Sequence, residues 1–108
     1  MMAAACIGAI DLGNSQFLRQ LRRLDPARLA EACERFAMLP RQAQMPDKLH
    51  VHQAVGRMVS SAHDASKKVP VWTMHATNDD STKASFTLEN GVAHFRRLGS
   101  HAEIDKYP

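Results

Sequence analysis

Six histidines, all after residue 49, are the side chains of this 108-residue chain best suited to moving protons near neutral pH. His50 and His52 flank one residue, a spacing that puts two imidazoles on one face of a strand, where a third histidine could complete a zinc site. No carboxylate or thiol stands at a diagnostic distance, so surface histidines are the simpler reading and no metal is expected. His75 and Asp79 lie four apart, at the end of one strand and in the turn after it. A carboxylate there could fix an imidazole's tautomer for acid–base work; the alternative is a turn-stabilising Asp beside an incidental strand His. The third group is Arg96-Arg97-Leu-Gly-Ser-His101-Ala-Glu-Ile-Asp-Lys-Tyr107. Its arginines can hold a phosphate bidentately, its histidine can move a proton, and Tyr107 can stack on an exposed base. A polar C-terminal tail would read the same way.

These residues need elements to position them. Ala4–Leu12 is apolar and ends at Gly13-Asn14, which suits a first, largely buried strand. Ser15–Leu24 carries Phe17, Leu18, Leu21 and Leu24 at helical spacing, with Arg19, Arg22 and Arg23 on another side. Asp25-Pro26 starts a second helix, as N-cap and first helical residue, and Pro40 stops it. Its inward face reads as Leu29, Cys33, Phe36 and Ala37, and the pair forms an antiparallel helical hairpin. Lys48–Lys68 fits two periods, and a strand at about Leu49–Gln53 followed by a helical or mobile insert is expected. From Pro70 onward Val71–Ala76 and Thr82–Leu88 alternate as strands, and Asn90-Gly91 is a type I′ hairpin turn. That turn sets Leu88 against Ala93, Phe86 against Phe95 and Thr87 against His94, then Ser85 against Arg96 and Lys83 against Leu98. A four-residue loop at 78–81 would put Trp72 and Met74 on the Lys83 side, so a bulge or an odd-length loop must intervene if Trp72 is core. The expectation is an α+β fold: an N-terminal strand, a two-helix hairpin, then a three- to four-stranded antiparallel sheet.

Composition narrows the classes. Hydrophobic residues are 44% and charged residues 23%, average for a folded chain, and 108 residues suit one domain spanning 1–108. Net charge is +3, which permits an anionic partner without requiring one. No apolar run reaches the roughly 20 residues that cross a bilayer, and Met1–Ile10 lacks a basic start, so no membrane partner and a cytoplasmic location are expected. Cys6 and Cys33 are expected to be reduced and buried. The chain has no Gly-rich phosphate loop, CxxC pair or Gly-x-Ser-x-Gly elbow.

The segment Phe86-Thr-Leu-Glu-Asn-Gly-Val-Ala-His-Phe-Arg-Arg-Leu-Gly-Ser-His101-Ala-Glu-Ile resembles the last hairpin of RelE/ParE-superfamily toxins. Within them it is most like the YafQ-like branch of RelE-like mRNA interferases, where a strand ends in Gly-Ser/Thr-His. His75-x-x-x-Asp79 matches that branch's penultimate hairpin, and Leu49-His50-Val51-His52 its earlier Leu-x-His strand. Phe17-Leu-Arg-Gln-Leu-Arg-Arg-Leu-Asp-Pro looks like its first helix and the link to the second.

The resemblance implies a RelE-like toxin of a type II toxin–antitoxin system, an endoribonuclease that cuts mRNA on the ribosome. It implies attack of a 2′-hydroxyl on the adjacent phosphate, without metal or cofactor, and a cognate antitoxin as partner. By the same likeness His101 leads proton transfer, His75 with Asp79 is the second acid–base pair, and His50 or His52 is the earlier histidine. Lys83, Arg96 and Arg97 are the phosphate clamps, with Arg96 favoured by the Asn-Gly register. The chain departs from the pattern in having Lys83 where an arginine is usual, Tyr107 displaced with Asp105 near its place, and a longer stretch between His52 and Trp72. The rivals are a ParE-like gyrase poison, which needs no acid–base residues, and a catalytically weakened interaction module of the same fold.

Overall fold

The computed structural model describes residues 7–41, 47–79 and 81–108. Their order is β1 (Ala9–Asp11), α1 (Ser15–Leu21), α2 (Pro26–Met38), β2 (His52–Ser60), β3 (Lys68–His75), β4 (Thr82–Glu89), β5 (Val92–Ser100) and α3 (His101–Lys106). The fold is α+β. Its sheet has five strands in the order β1-β5-β4-β3-β2, with β1 parallel to β5 and the other neighbours antiparallel. The expected three- to four-stranded antiparallel sheet is thus corrected: four antiparallel strands follow the helices, and β1 joins them to make the sheet mixed. Ala4–Cys6 of the expected first strand lies outside the described residues.

Local chemistry starts and stops the helices. The Asn14 side chain accepts from the Phe17 N–H to cap α1, and Asp25 does the same for Arg28 ahead of Pro26 in α2. Phe17 and Leu21 from α1, with Ala32 and Phe36 from α2, then bury against one sheet face. That face presents Met74, Ala84, Phe86, Ala93, Phe95 and Leu98. The Phe95 ring centroid lies 4.7 Å from Phe36, 5.3 Å from Phe17 and 5.2 Å from Phe86, so one ring joins both helices to two strands. Cys33 is exposed rather than buried, and Ala37 is exposed too, because the inward stripe runs through Ala32, Arg35 and Phe36. Cys6 lies outside the described residues.

Two register features direct the site residues. Ala76 N–H bonds the Thr82 oxygen, and Trp72 pairs with Phe86 and Met74 with Ala84, so the turn is odd in length and Trp72 faces the core. Between β4 and β5 the expected pairs hold from Glu89 to Phe86, with Asn90 and Gly91 both at positive φ as a type I′ turn requires. A bulge between Ser85 and Phe86 then shifts the rest: Ser85 faces Arg97 and Lys83 faces Gly99, not Arg96 and Leu98.

The stretch expected to be a helical or mobile insert is strand. β2 runs nine residues, and its register with β3 jumps between Gln53 and Met58. Four residues bulge outward opposite one of β3, around Gly56 at φ +76, and leave Val55 93% exposed. The outer sheet face is not an open basic surface either. α3 packs on β4 and β5 there, burying Ile104, and Val71, Thr73, Lys83, Ser85 and Thr87 beneath are buried as well.

Candidate functional site

Four sequence-expected histidines come from three elements and meet at one end of the outer face. His75 closes β3, His101 opens α3, and His50 and His52 lead into β2. The His50 and His75 rings stack at 4.3 Å and 24°. His75 and His101 meet nearly edge to face at 5.5 Å and 68°, and His52 stands 6.2 Å from His50.

Each ring is held by backbone that the sequence chemistry explains. His50 follows a 3-10 turn, Asp47–Leu49, anchored by the fully buried Leu49, and its N–H bonds the Asp47 oxygen. Its φ of 49 is left-handed, a conformation that costs a non-glycine residue about 1 kcal/mol or more and concentrates at functional sites. His50 therefore precedes the strand rather than sharing a strand face with His52. His101 is the first residue of α3, behind a complete capping box in which Ser100 Oγ accepts from Glu103 N and Glu103 Oε1 accepts from Ser100 N. The Ser100 N–H, and after it the Ser100 hydroxyl, hold the Glu103 carboxyl below its usual range. At the other end of α3, Arg57 from the β2 bulge donates to the oxygens of Lys106 and Asp105.

Asp105 completes the cluster. One carboxylate oxygen lies 2.8 Å from His101 Nδ1 and the other 2.5 Å from Lys83 Nζ. Lys83, directly across from His75 in the sheet register, exposes only 9% of its side chain. Its hydrogen bond, with the Lys83 and His101 charges behind it, holds the Asp105 carboxyl below the usual carboxylate value against the opposing effect of burial. With Nδ1 held by Asp105, His101 has Nε2 for a proton acceptor or donor. Sequence reasoning missed Asp105, although its i,i+4 spacing from His101 becomes a signal once α3 is known to be a helix.

Asp79 is differently employed. Its carboxylate accepts from the Thr77 and Ser81 hydroxyls, the Ser81 N–H and Arg28 of α2. Those bonds, Thr77's first, hold it far below the usual carboxylate range, so it ties the β3–β4 turn to the helices as an ionised anchor. Arg35, buried in α2, donates to the Lys48 oxygen and to Asn78 Oδ1, and Glu31 accepts from Asn78 N–H. Arg28, Glu31 and Arg35 thus form one polar stripe, at i, i+3 and i+7, that holds both loops bracketing the histidines. That spacing is legible in the sequence. Asp80 of the same turn lies outside the described residues.

The basic candidates separate. Arg97 shares the outer face with His75 and Lys83, across from Ser85, and its charge contributes to the lowered Glu103 value. Arg96 lines a different cleft with His94, and its Nη2 reaches the Pro108 oxygen at 3.4 Å. Tyr107 is 60% exposed at the far end of α3 from His101, its ring 5.5 Å from the Lys106 ammonium. No group of three or more His, Cys, Asp or Glu side chains among the described residues is arranged to hold a metal ion.

No family model, curated protein or solved structure matches this chain. The histidine cluster itself carries the chemistry. It offers two imidazoles within reach of one reacting group, one oriented by a carboxylate, and a guanidinium elsewhere on the same face. That set can take a proton from one oxygen and give a proton to another while a cation offsets developing charge. No helix among the described residues is long and apolar enough to cross a membrane.

Proposed function

We propose that the histidine cluster cleaves RNA by intramolecular transfer, and that the chain is the toxin half of a toxin–antitoxin pair cutting mRNA on the ribosome. The observation that carries the chemistry is the approach of His75 to His101, 5.5 Å between ring centroids, with Asp105 on His101 Nδ1. One imidazole takes the proton of a ribose 2′-hydroxyl. The 2′-oxygen attacks the adjacent phosphorus, the bond to the 5′-oxygen breaks, and the other imidazole protonates that oxygen. The products are a 2′,3′-cyclic phosphate and a 5′-hydroxyl, and no electrons or co-reactants enter. His50 stacks on His75 and keeps its ring in place, and Arg97 offsets charge on the phosphoryl oxygens. Lys83 acts through Asp105, and Asp79 acts by holding the turn that follows His75. Tyr107 offers a stacking face to a base further along the strand.

The ribosome, the mRNA substrate and a cognate antitoxin, like the RelE-like assignment and a cytoplasmic site of action, rest on the sequence resemblance and on the order of strand, two helices and antiparallel strands. Primer extension on a reporter mRNA in a reconstituted translation system tests the reading, with wild type and His101→Ala side by side. New ends within codons from wild type only, carrying cyclic phosphate, are expected. No new ends from either protein would overturn it and turn attention to gyrase supercoiling.

A further inference from the structure

Away from the histidine cluster, the outer face carries a cleft of about 540 Å³. Its walls include Asp11 at the end of β1, Ser60 and Ser61 at the end of β2, Thr87 of β4, and His94 and Arg96 of β5. Thr87 is four residues from Lys83 along β4, so the cleft sits about 13 Å from the histidine cluster.

Its polar groups are incompletely paired. His94 Nδ1 lies 2.8 Å from an Asp11 carboxylate oxygen, which fixes the ring and directs Nε2 away from that partner. His94 Nε2 and Arg96 Nε are both buried without a hydrogen-bond partner among the described residues. The Arg96 guanidinium is half-buried, and the contact it shows among those residues is a long one to the Pro108 oxygen. Orphaned buried polar atoms are scarce in folded proteins because each costs on the order of 1–3 kcal/mol, and a ligand that satisfies them recovers that cost. The Asp11 carboxylate is already taken by His94 and the Gly13 N–H. What the cleft has left to offer is therefore a forked guanidinium and the Ser60 hydroxyl as donors, with His94 Nε2 as an acceptor for a phosphate O–H, since the Ser61 and Thr87 hydroxyls both donate to Glu89 and the His94 Nδ1 proton goes to Asp11.

We propose that this cleft binds a phosphoryl group, the oxyanion that accepts several hydrogen bonds at once and that a guanidinium fork fits. Its volume lies in the range of small-molecule sites and admits a nucleotide as well as a free phosphate. His63, on the exposed β2–β3 turn, packs edge-on against His94 at 4.9 Å, and its ring turns aside as the ligand reaches Nε2. The site shares no residue with the proposed catalytic cluster and stands or falls separately from it.

An NMR titration of the whole chain, following the His94 imidazole, tests the proposal with inorganic phosphate, a nucleoside 5′-monophosphate and the matching nucleoside. Saturable shifts with both phosphates and none with the nucleoside are expected, and tighter binding of the monophosphate would name a nucleotide as the ligand. Arg96→Gln should weaken binding by about tenfold or more, as loss of a bidentate charged contact does, while His101→Ala leaves it unchanged. If Arg96→Gln does not fold, Arg96→Lys, which keeps the charge and loses the fork, is read for the same weakening. No saturable shift, wild-type binding in the Arg96 variant, or loss of binding in His101→Ala would overturn the assignment.

Discussion

Asp105→Asn is the substitution that most directly probes the site, because one carboxylate serves two partners. Lys83 keeps only 9% of its side chain in solvent, so its ammonium depends on Asp105 for a counter-charge. Asparagine is the same size and presents one acceptor oxygen instead of two, without charge. Breaking a fully buried pair costs about 3–5 kcal/mol and an exposed pair under about 1 kcal/mol. Here Asp105 is 48% exposed, so solvent screens its half of the interaction and a loss of about 1–2 kcal/mol is expected. For a domain of this size that lowers Tm by roughly 4–15 °C. Cleavage should fall further than stability explains, by about 10–100-fold, because His101 loses the group that fixes its tautomer.

The pH dependence supplies the sign. The Asp105 carboxyl lies below its ordinary value of 3.8 in the folded chain, so its stabilisation is present above that value and is lost as pH falls through the lower, folded one. Thermal melts of wild type and Asp105→Asn should therefore converge below about pH 4 and stay parallel above it. In a Lys83→Met background, Asp105→Asn should cost much less than it does alone. An unchanged Tm at pH 7, or the same cost with and without Lys83, would show that the ion pair does not carry the reasoning.

Three further outcomes follow from the positions of single residues. His50→Ala and His50→Gly should lose cleavage equally. Glycine should leave the fold about 1 kcal/mol more stable than alanine, since φ 49 suits it, and equal melting temperatures would contradict the left-handed backbone. Arg35→Met should cost about 2–3 kcal/mol by urea denaturation, because it frees the Lys48 oxygen and Asn78 together, and it should lower cleavage with the histidines intact. Native Cys33 should react with a water-soluble thiol reagent without denaturant, and Cys33→Ser should remove that fraction of labelling.

Where chemistry is local, the sequence was legible. Asp25-Pro26 capped α2 as its residue types require, and Asn90-Gly91 set the register through Phe86. The alternation of Trp72 and Met74 left a bulge or an odd-length turn as ways to keep Trp72 in the core, and the turn is odd in length. Where long-range pairing decides, the sequence was silent or misleading. β2 looked ambiguous because its apolar Val55 sits on an outward bulge, and that strand is defined by what β3 offers it rather than by its own pattern. The α2 face was misjudged by about one position, since a hydrophobic count favours Cys33 over Ala32 and passes over Arg35, whose charge hid a buried structural role. α3 escaped notice although Ser100 and Glu103 spell a capping box, because six residues carry too little periodicity to register. Asp105 was lost with it, while His50, His75 and His101 stood out as candidates because histidine is conspicuous whatever element holds it.

The bulge opposite Ser85 shows how one inserted residue can separate two chemistries. In a regular ladder Arg96 and Arg97 would point to opposite faces, one of them into the phenylalanine core, which no guanidinium could enter without a partner. With the register shifted, Phe95 and Leu98 both stay in the core and the two arginines between them are both excluded from it. α3 then divides the face they share. Arg97 lies beside Glu103 of α3, whereas Arg96 turns toward Pro108 and the His94 cleft. Lengthening β4 by one residue opposite Arg96 would restore the regular ladder and force a charge into the core. Such an insertion should destabilise the fold more than any single substitution named above, and it should remove both sites at once.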